Sequence, residues 1–188
     1  MQPMIRPAGT GRSLIDRMVG VATLKQPVFT DIRRDVDATG QALAVVAIAA
    51  IAAGIGAIGS PQPGMIWQVA MAVVGWIVFS LVAFFIGSLF ASKSESVTLG
   101  QVLRLIGFAQ TPKILGVLAI VPLLGWIPAM IAAVWFLVVA IMALREAFNV
   151  PTGTAAIIGV LSLAVVFVVN VVLGTIFHIT GGILHWLF

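Results

Sequence analysis

Residues 38–92 read ATGQALAVVAIAAIAAGIGAIGSPQPGMIWQVAMAVVGWIVFSLVAFFIGSLFAS, and these 55 positions hold no Asp, Glu, Lys or Arg. A membrane-crossing helix needs about 20 predominantly apolar residues. The stretch is therefore two spans and a turn, with Ser60-Pro61-Gln62-Pro63-Gly64 as the turn, because clustered Pro and Gly punctuate helices. The spans are placed at about 41–58 and 66–90. Charge is also absent from 114–144, 31 residues, and from 147–188, 42 residues.

The whole composition agrees. Of 188 residues, 61% are hydrophobic and 9% charged, and the mean hydropathy is +1.20. Soluble domains carry about 25% charged residues, so this chain has too few polar side chains to cover a water-facing surface. It is equally too apolar for a disordered chain. The absence of Cys excludes disulfides, thiolate metal sites and a Cys nucleophile. Two His and six carboxylates leave little for metal or acid–base chemistry. No P-loop, dinucleotide fingerprint or catalytic triad is present. No catalytic residue, cofactor or metal ligand is assigned, and a non-enzymatic protein is expected. A secretory signal peptide is not expected, since its apolar core would begin much nearer Met1.

The middle of the chain needs local signals. Thr98-Leu99-Gly100-Gln101 predicts a capping box, Thr98 as N-cap and Gln101 reaching back. An amphipathic helix follows, with Val102, Leu105, Ile106 and Ala109 on one face and Gln101 and Arg104 off it. Pro112 interrupts that helix or starts a new one. A third span is placed at about 106–125, with a re-entrant 99–125 segment as the alternative. A turn at Val121-Pro122-Leu123-Leu124-Gly125-Trp126-Ile127-Pro128 precedes a fourth span at 128–144. Arg145-Glu146 and Asn149-Val150-Pro151-Thr152-Gly153 precede a fifth at 155–176, and Gly181-Gly182 breaks the apolar tail.

Lys and Arg set the orientation. Arg6, Arg12, Arg17, Lys25, Arg33 and Arg34 precede the first span, and five spans put Lys93, Arg104, Lys113 and Arg145 on the same side. The opposite loops and the tail hold none, a strong positive-inside pattern. The expected fold class is an all-α integral membrane protein of the cell (inner, cytoplasmic) membrane. It is a bundle of five transmembrane helices with its N-terminus in and its C-terminus out. Residues 1–38 form a cytosolic or interfacial arm and 39–188 the membrane domain.

Within the arm, Ser13 caps a helix whose Leu14, Ile15, Met18, Val21 and Ala22 form an apolar stripe. After Gln26-Pro27, a second helix sets Phe29, Ile32 and Val36 against Asp31, Arg33, Arg34, Asp35 and Asp37. Their spacing predicts Asp31–Arg34 and Arg33–Asp37 pairs. The arm is either a partner-docking surface or a segment lying on anionic headgroups, the latter favoured. Its charge balance is too weak for nucleic acid.

Gly107-Phe108-Ala109-Gln110-Thr111-Pro112 resembles the Gly-Tyr/Phe-x-x-x-Pro element of the YIP family, the Ypt/Rab-interacting membrane proteins. The 121–156 stretch, with Trp135, the Leu144-Arg145-Glu146-Ala147 end and the Gly153-Thr154-Ala155 restart, is similar to prokaryotic members. Lys25-Gln26-Pro27-Val28-Phe29 resembles the family's Pro-containing stretch before the first span. The resemblance covers about 25–176. It implies five helices and a cytosolic N-terminus, with Gly107, Phe108, Pro112, Arg145 and Glu146 as family motif residues. Eukaryotic members are associated with Rab GTPases. The eukaryotic Asp-Leu-x-Gly-Pro element has no match here, so GTPase binding is not carried over.

Few polar residues lie in the spans. Asn170 marks a substrate path or, more simply, bonds a neighbouring helix. Lys113 is a functional suspect by its depth, against the simpler reading that it snorkels to the cytosolic face. His178 and His185, seven apart, are candidate ligands for a metal, haem or chlorin, against the favoured reading as interfacial donors. Trp67, Trp126 and Trp186 predict an aromatic belt. Ala49-x-x-x-Ala53-x-x-x-Ala57 and Ala52-x-x-x-Gly56 permit close helix contact, internal or between two copies. Phe29, Asp31, Arg33, Arg34, Ala49 and Ala53 are the candidate partner surface. The expected partners are the lipid bilayer and other membrane proteins. The expected function is a scaffold, adaptor or accessory subunit of a larger membrane complex, with a small transporter or channel as the alternative.

Overall fold

The computed structural model describes residues 12–58, 65–91, 97–121 and 125–187. The turn at 60–64, Lys93 and the 122–124 part of the second turn lie outside them. Helices α1 (Leu14–Ala22), α2 (Gln26–Arg34), α3 (Ala38–Gly56), α4 (Met65–Phe90) and α5 (Leu99–Ala109) are followed by a 3₁₀ helix (Thr111–Ile120), α6 (Trp126–Phe148) and α7 (Thr152–Leu187). Among the described residues, five segments are long and apolar enough to cross a bilayer: Ala38–Gly56, Met65–Phe90, Leu99–Ile120, Trp126–Phe148 and Thr152–Phe177. The 19 residues of α3 extend roughly 28 Å at 1.5 Å per residue, close to the hydrocarbon thickness.

These segments close a ring. α3 packs on α4 and on the 3₁₀ helix, α6 packs on the 3₁₀ helix and α7, and α4 packs on α7. α5 sits inside one end of this ring, against α3, α4 and α6. Small residues allow the close approaches. A Cβ on Gly107 would come within 2.9 Å of the Ala42 Cβ, and one on Gly56 would collide with the Gly116 carbonyl. Ala49 and Ala52 are buried in the same way. The small-residue face of α3 is thus an internal seam, the simpler of its two sequence readings. Outward positions such as Val160, Leu161, Val165, Phe167 and Val168 on α7 are exposed and apolar, as a lipid-facing surface requires.

The third span differs from expectation. It begins at Leu99 rather than near 106, and it is α-helical only to Ala109. The capping box forms as predicted: Gln101 N donates to Thr98 Oγ1 at 3.3 Å and Thr98 N donates to Gln101 Oε1 at 3.0 Å. The helix it starts has no solvent face in its second half, because every residue from 104 to 110 is buried. Arg104, placed off the apolar face, is therefore enclosed. Pro112 sits at the start of the 3₁₀ helix, where its missing N–H costs least. Ten residues of 3₁₀ is long for this conformation, which rarely exceeds 3–4 residues and often marks a strained or functional segment.

The tail also differs. α7 continues through Gly181-Gly182 to Leu187. Glycine costs a helix only about 1 kcal/mol, whereas an unsatisfied backbone group in hydrocarbon costs several. The side chains of His178, His185 and Trp186 lie outside the described residues.

The arm is part of the bundle. Val21, Val28, Phe29 and Ile32 share one core with Leu105, Ile106, Val139 and Leu144. Leu14 and Met18 pack against it, while Ile15 and Val19 face outward. The inner apolar side of the arm thus meets protein rather than headgroups, and its outward side, with Ile15 and Val19, is what is left for headgroups or a partner. Between α1 and α2 the chain reverses through a Schellman motif, with Lys25 N on Gly20 O at 2.8 Å and Leu24 N on Val21 O at 3.0 Å. Leu24 takes the left-handed position, φ 58°, usually given to glycine.

Candidate functional site

Two polar regions stand out in an otherwise apolar molecule. The first is the end of the bundle where the arm docks. Helices leave their last carbonyls unsatisfied, and here three C-termini receive a donor from a distant element. Trp135 Nε1 on α6 donates to Ala22 O of α1 at 2.9 Å. Arg104 on α5 donates to Ile32 O and Arg33 O of α2, at 3.4 and 3.0 Å, and to Thr39 Oγ1 at 3.4 Å. Arg33 donates to Glu146 O of α6 at 2.9 Å.

Arg17 completes the latch. It is 1% exposed. Its Nε donates to Asp31 Oδ2 at 3.1 Å and its Nη1 to Gln41 Oε1 at 2.9 Å, while Nη2 pairs with Asp35. One guanidinium thus ties α1 to α2, to the α2–α3 corner and to α3. The Arg17 guanidinium holds the Asp35 carboxyl below the usual carboxylate value against the opposing effect of burial, with help from the Asp37 and Ala38 backbone N–H groups. The expected Asp31–Arg34 and Arg33–Asp37 pairs are corrected. Asp31 turns to Arg17, and Arg33 reaches α6, because buried or half-buried partners outcompete a solvated pair on one helix face.

The second region is a cavity of about 260 Å³ inside the ring. It exists because α5 fills the ring at the charged end only. Below the break at Gln110-Thr111-Pro112 the chain packs on α3 and α6 and leaves space toward α4 and α7. Gln68, Gln110, Lys113 and Asn170 line it, among Phe79, Phe136 and smaller apolar residues. Gln68 lies one turn into α4 and Ala53 one turn before the end of α3, so the cavity runs from mid-bundle toward the end opposite the arm.

Lys113 does not snorkel toward the arm. Its Nζ stands 3.8 Å from the centroid of the Phe136 ring, a cation–π contact worth about 0.5–2 kcal/mol. Asn170 Nδ2 donates to Val166 O of its own helix at 2.8 Å, rather than to a neighbouring helix. The structure thus brings Lys113 and Asn170 to one cavity. Gln68 and Gln110 were missed as members, since a search for charged residues passes over amides. Two glutamines within charge-free or nearly charge-free stretches were the available signal.

The remaining candidates are placed as follows. Phe29 is fully buried, Asp31 and Arg33 are half-buried in the latch, and Arg34 is exposed. Ala49 is buried and Ala53 borders the cavity. Gly107, Phe108 and Pro112 are buried at the α5 break; Arg145 is exposed and Glu146 contributes its carbonyl to the latch. Trp67 stacks on Phe177 with centroids 4.3 Å apart, and Trp126 is exposed at the same end.

Residues 21–173 match the Yip1 domain family model. No match was found among curated proteins or among solved structures.

Proposed function

We propose that this chain, which belongs to the Yip1 domain family, is a non-enzymatic scaffold, adaptor or accessory subunit of a membrane complex that docks partners on the outward face of its arm. The supporting observation is that the arm is clamped rather than loose, yet leaves Ile15, Val19 and Val36 exposed at 70%, 52% and 71%. A groove lined by Arg12, Asp16, Val19, Lys25 and Pro27 runs along α1 at Val19. Apolar side chains rimmed by charge are the usual make-up of a docking patch. The charged groups Arg17, Asp31, Asp35, Arg33 and Arg104 are engaged in holding the fold, which supports a binding role over a catalytic one. The charge pattern supports a cytoplasmic arm in the cell membrane.

The test is co-purification of the full chain from its native membrane. Ile15→Asp with Val19→Asp, or Val36→Asp, all at exposed positions outside the shared core, releases a stoichiometric partner while the spans still insert. Unchanged partner content in both variants would sink the adaptor reading.

A small transporter or channel is the second reading, favoured by the cavity that gathers Gln68, Gln110, Lys113 and Asn170. Solute flux in proteoliposomes that Asn170→Leu abolishes would establish it and displace the first.

A further inference from the structure

Among the described residues, the cavity holds a charge without a counter-charge. Its described lining includes one cation, Lys113, three amides and no carboxylate. The carboxylates among the described residues belong to the arm and its latch: Asp16, Asp31, Asp35, Asp37 and Glu146. Glu146 offers its backbone carbonyl to that latch. An ammonium inside a bilayer is costly unless it is paired or reaches water. Phe136 covers one side of Lys113 and accepts no hydrogen bond of ordinary strength. Three N–H donors of the ammonium require oxygen acceptors, and an anion supplies both acceptors and charge.

The walls decide what carries that anion. Ala53, Met71, Ala72, Phe79, Leu163 and Val166 surround the polar groups with apolar surface. A free hydrated ion gains nothing from such walls, whereas an acyl chain does. The volume of about 260 Å³ falls just below the range of small-molecule pockets, roughly 300–1,000 Å³. It accommodates a headgroup and the first part of a chain, the remainder lying in the bilayer.

We infer that this cavity binds one anionic amphiphile, a lipid carboxylate or phosphate held by Lys113, with Gln68, Gln110 and Asn170 as hydrogen-bonding groups around it. The lipid enters from the end of the bundle opposite the arm, toward which the cavity runs. It fills the space left where α5 gives way to the 3₁₀ helix. The site is separate from the arm's docking face, so it stands whether or not the adaptor reading does.

The test uses the full chain in neutral detergent, with bound molecules counted by native mass spectrometry. The probes are palmitate, phosphatidic acid, phosphatidylcholine and inorganic phosphate. One palmitate or one phosphatidic acid per chain is expected, retained at least tenfold better than phosphatidylcholine. Lys113→Gln removes that preference and Lys113→Arg keeps it. Ala72→Leu, which fills the cavity and leaves the charge in place, also lowers retention at least tenfold. Equal retention by wild type, Lys113→Gln and Ala72→Leu would overturn the inference. So would binding of inorganic phosphate as tight as that of the amphiphiles, which would make the site one for a free anion. If Lys113→Gln fails to run as a monodisperse species, Ala72→Leu alone decides the matter.

Discussion

Arg17 shows what one side chain does in a chain with few charges. It binds Asp31, Asp35 and Gln41 at once. Its replacement leaves two carboxylates without their cation. Breaking a fully buried pair costs about 3–5 kcal/mol, and the partial exposure of Asp31 and Asp35 reduces this to about 2 kcal/mol for Arg17→Leu. The undocked fraction of the arm then rises roughly 30-fold, read as faster proteolytic cleavage at residues 23–25. The pH dependence follows from Asp35. Its folded-state value lies below the ordinary 3.8 because of Arg17. Its contribution is therefore fully present above about 3.8 and is lost as pH falls through the lowered value. Arm cleavage by an acid-active protease should stay slow at pH 5 and accelerate below about 3.8, and Arg17→Leu should flatten this dependence. Arg17 was not legible as the hub. Local i, i+3 and i, i+4 rules rank near neighbours, and its partners lie 14 to 24 positions away.

At the level of elements, most of what was legible came from backbone economy. Charge-free runs located four of the five spans, the third came from local signals and was placed about seven residues late, and Ser13 and Thr98 capped their helices as read. What failed was whatever depended on a distant backbone atom. Arg104 sits off the apolar stripe of α5 on a helical wheel, yet its acceptors are carbonyls of α2, about 70 positions earlier. A carbonyl carries no residue-type signature, so no sequence pattern announces it. The break at Pro112 was legible; the cavity below it was not, because Gln68 and Asn170 meet only once α4 and α7 close the ring. The tight α3–α5 seam makes a further prediction. Gly107→Val forces a methyl group into Ala42 and should destabilise by about 1–3 kcal/mol, the usual cost of overpacking. Gly153→Ala, with open space around it, should be neutral or stabilise by up to about 1 kcal/mol. Thermal unfolding of both variants in detergent distinguishes them.

For the whole molecule, the five spans and the clamped arm share one core and have distinct ends. The arm end carries Arg17, Arg33, Arg104 and Glu146 in mutual contact with backbone and carboxylate groups; the other end presents Trp67 and Trp126. On the proposed topology, the positive-inside pattern predicts that the arm end faces the cytosol. A Cys at position 62 should label from outside intact cells with an impermeant reagent, and one at position 93 should not; the reverse would invert the topology. The most direct test of a docking role is a photocrosslinking side chain at Val19, on the outward face of α1, compared with one at Val165 on the outer face of α7. In intact cells, Val19 should give a protein adduct of one discrete mass and Val165 only lipid adducts. Lipid adducts alone at Val19 would mean that the arm's outward face meets the membrane, and the adaptor role would be contradicted.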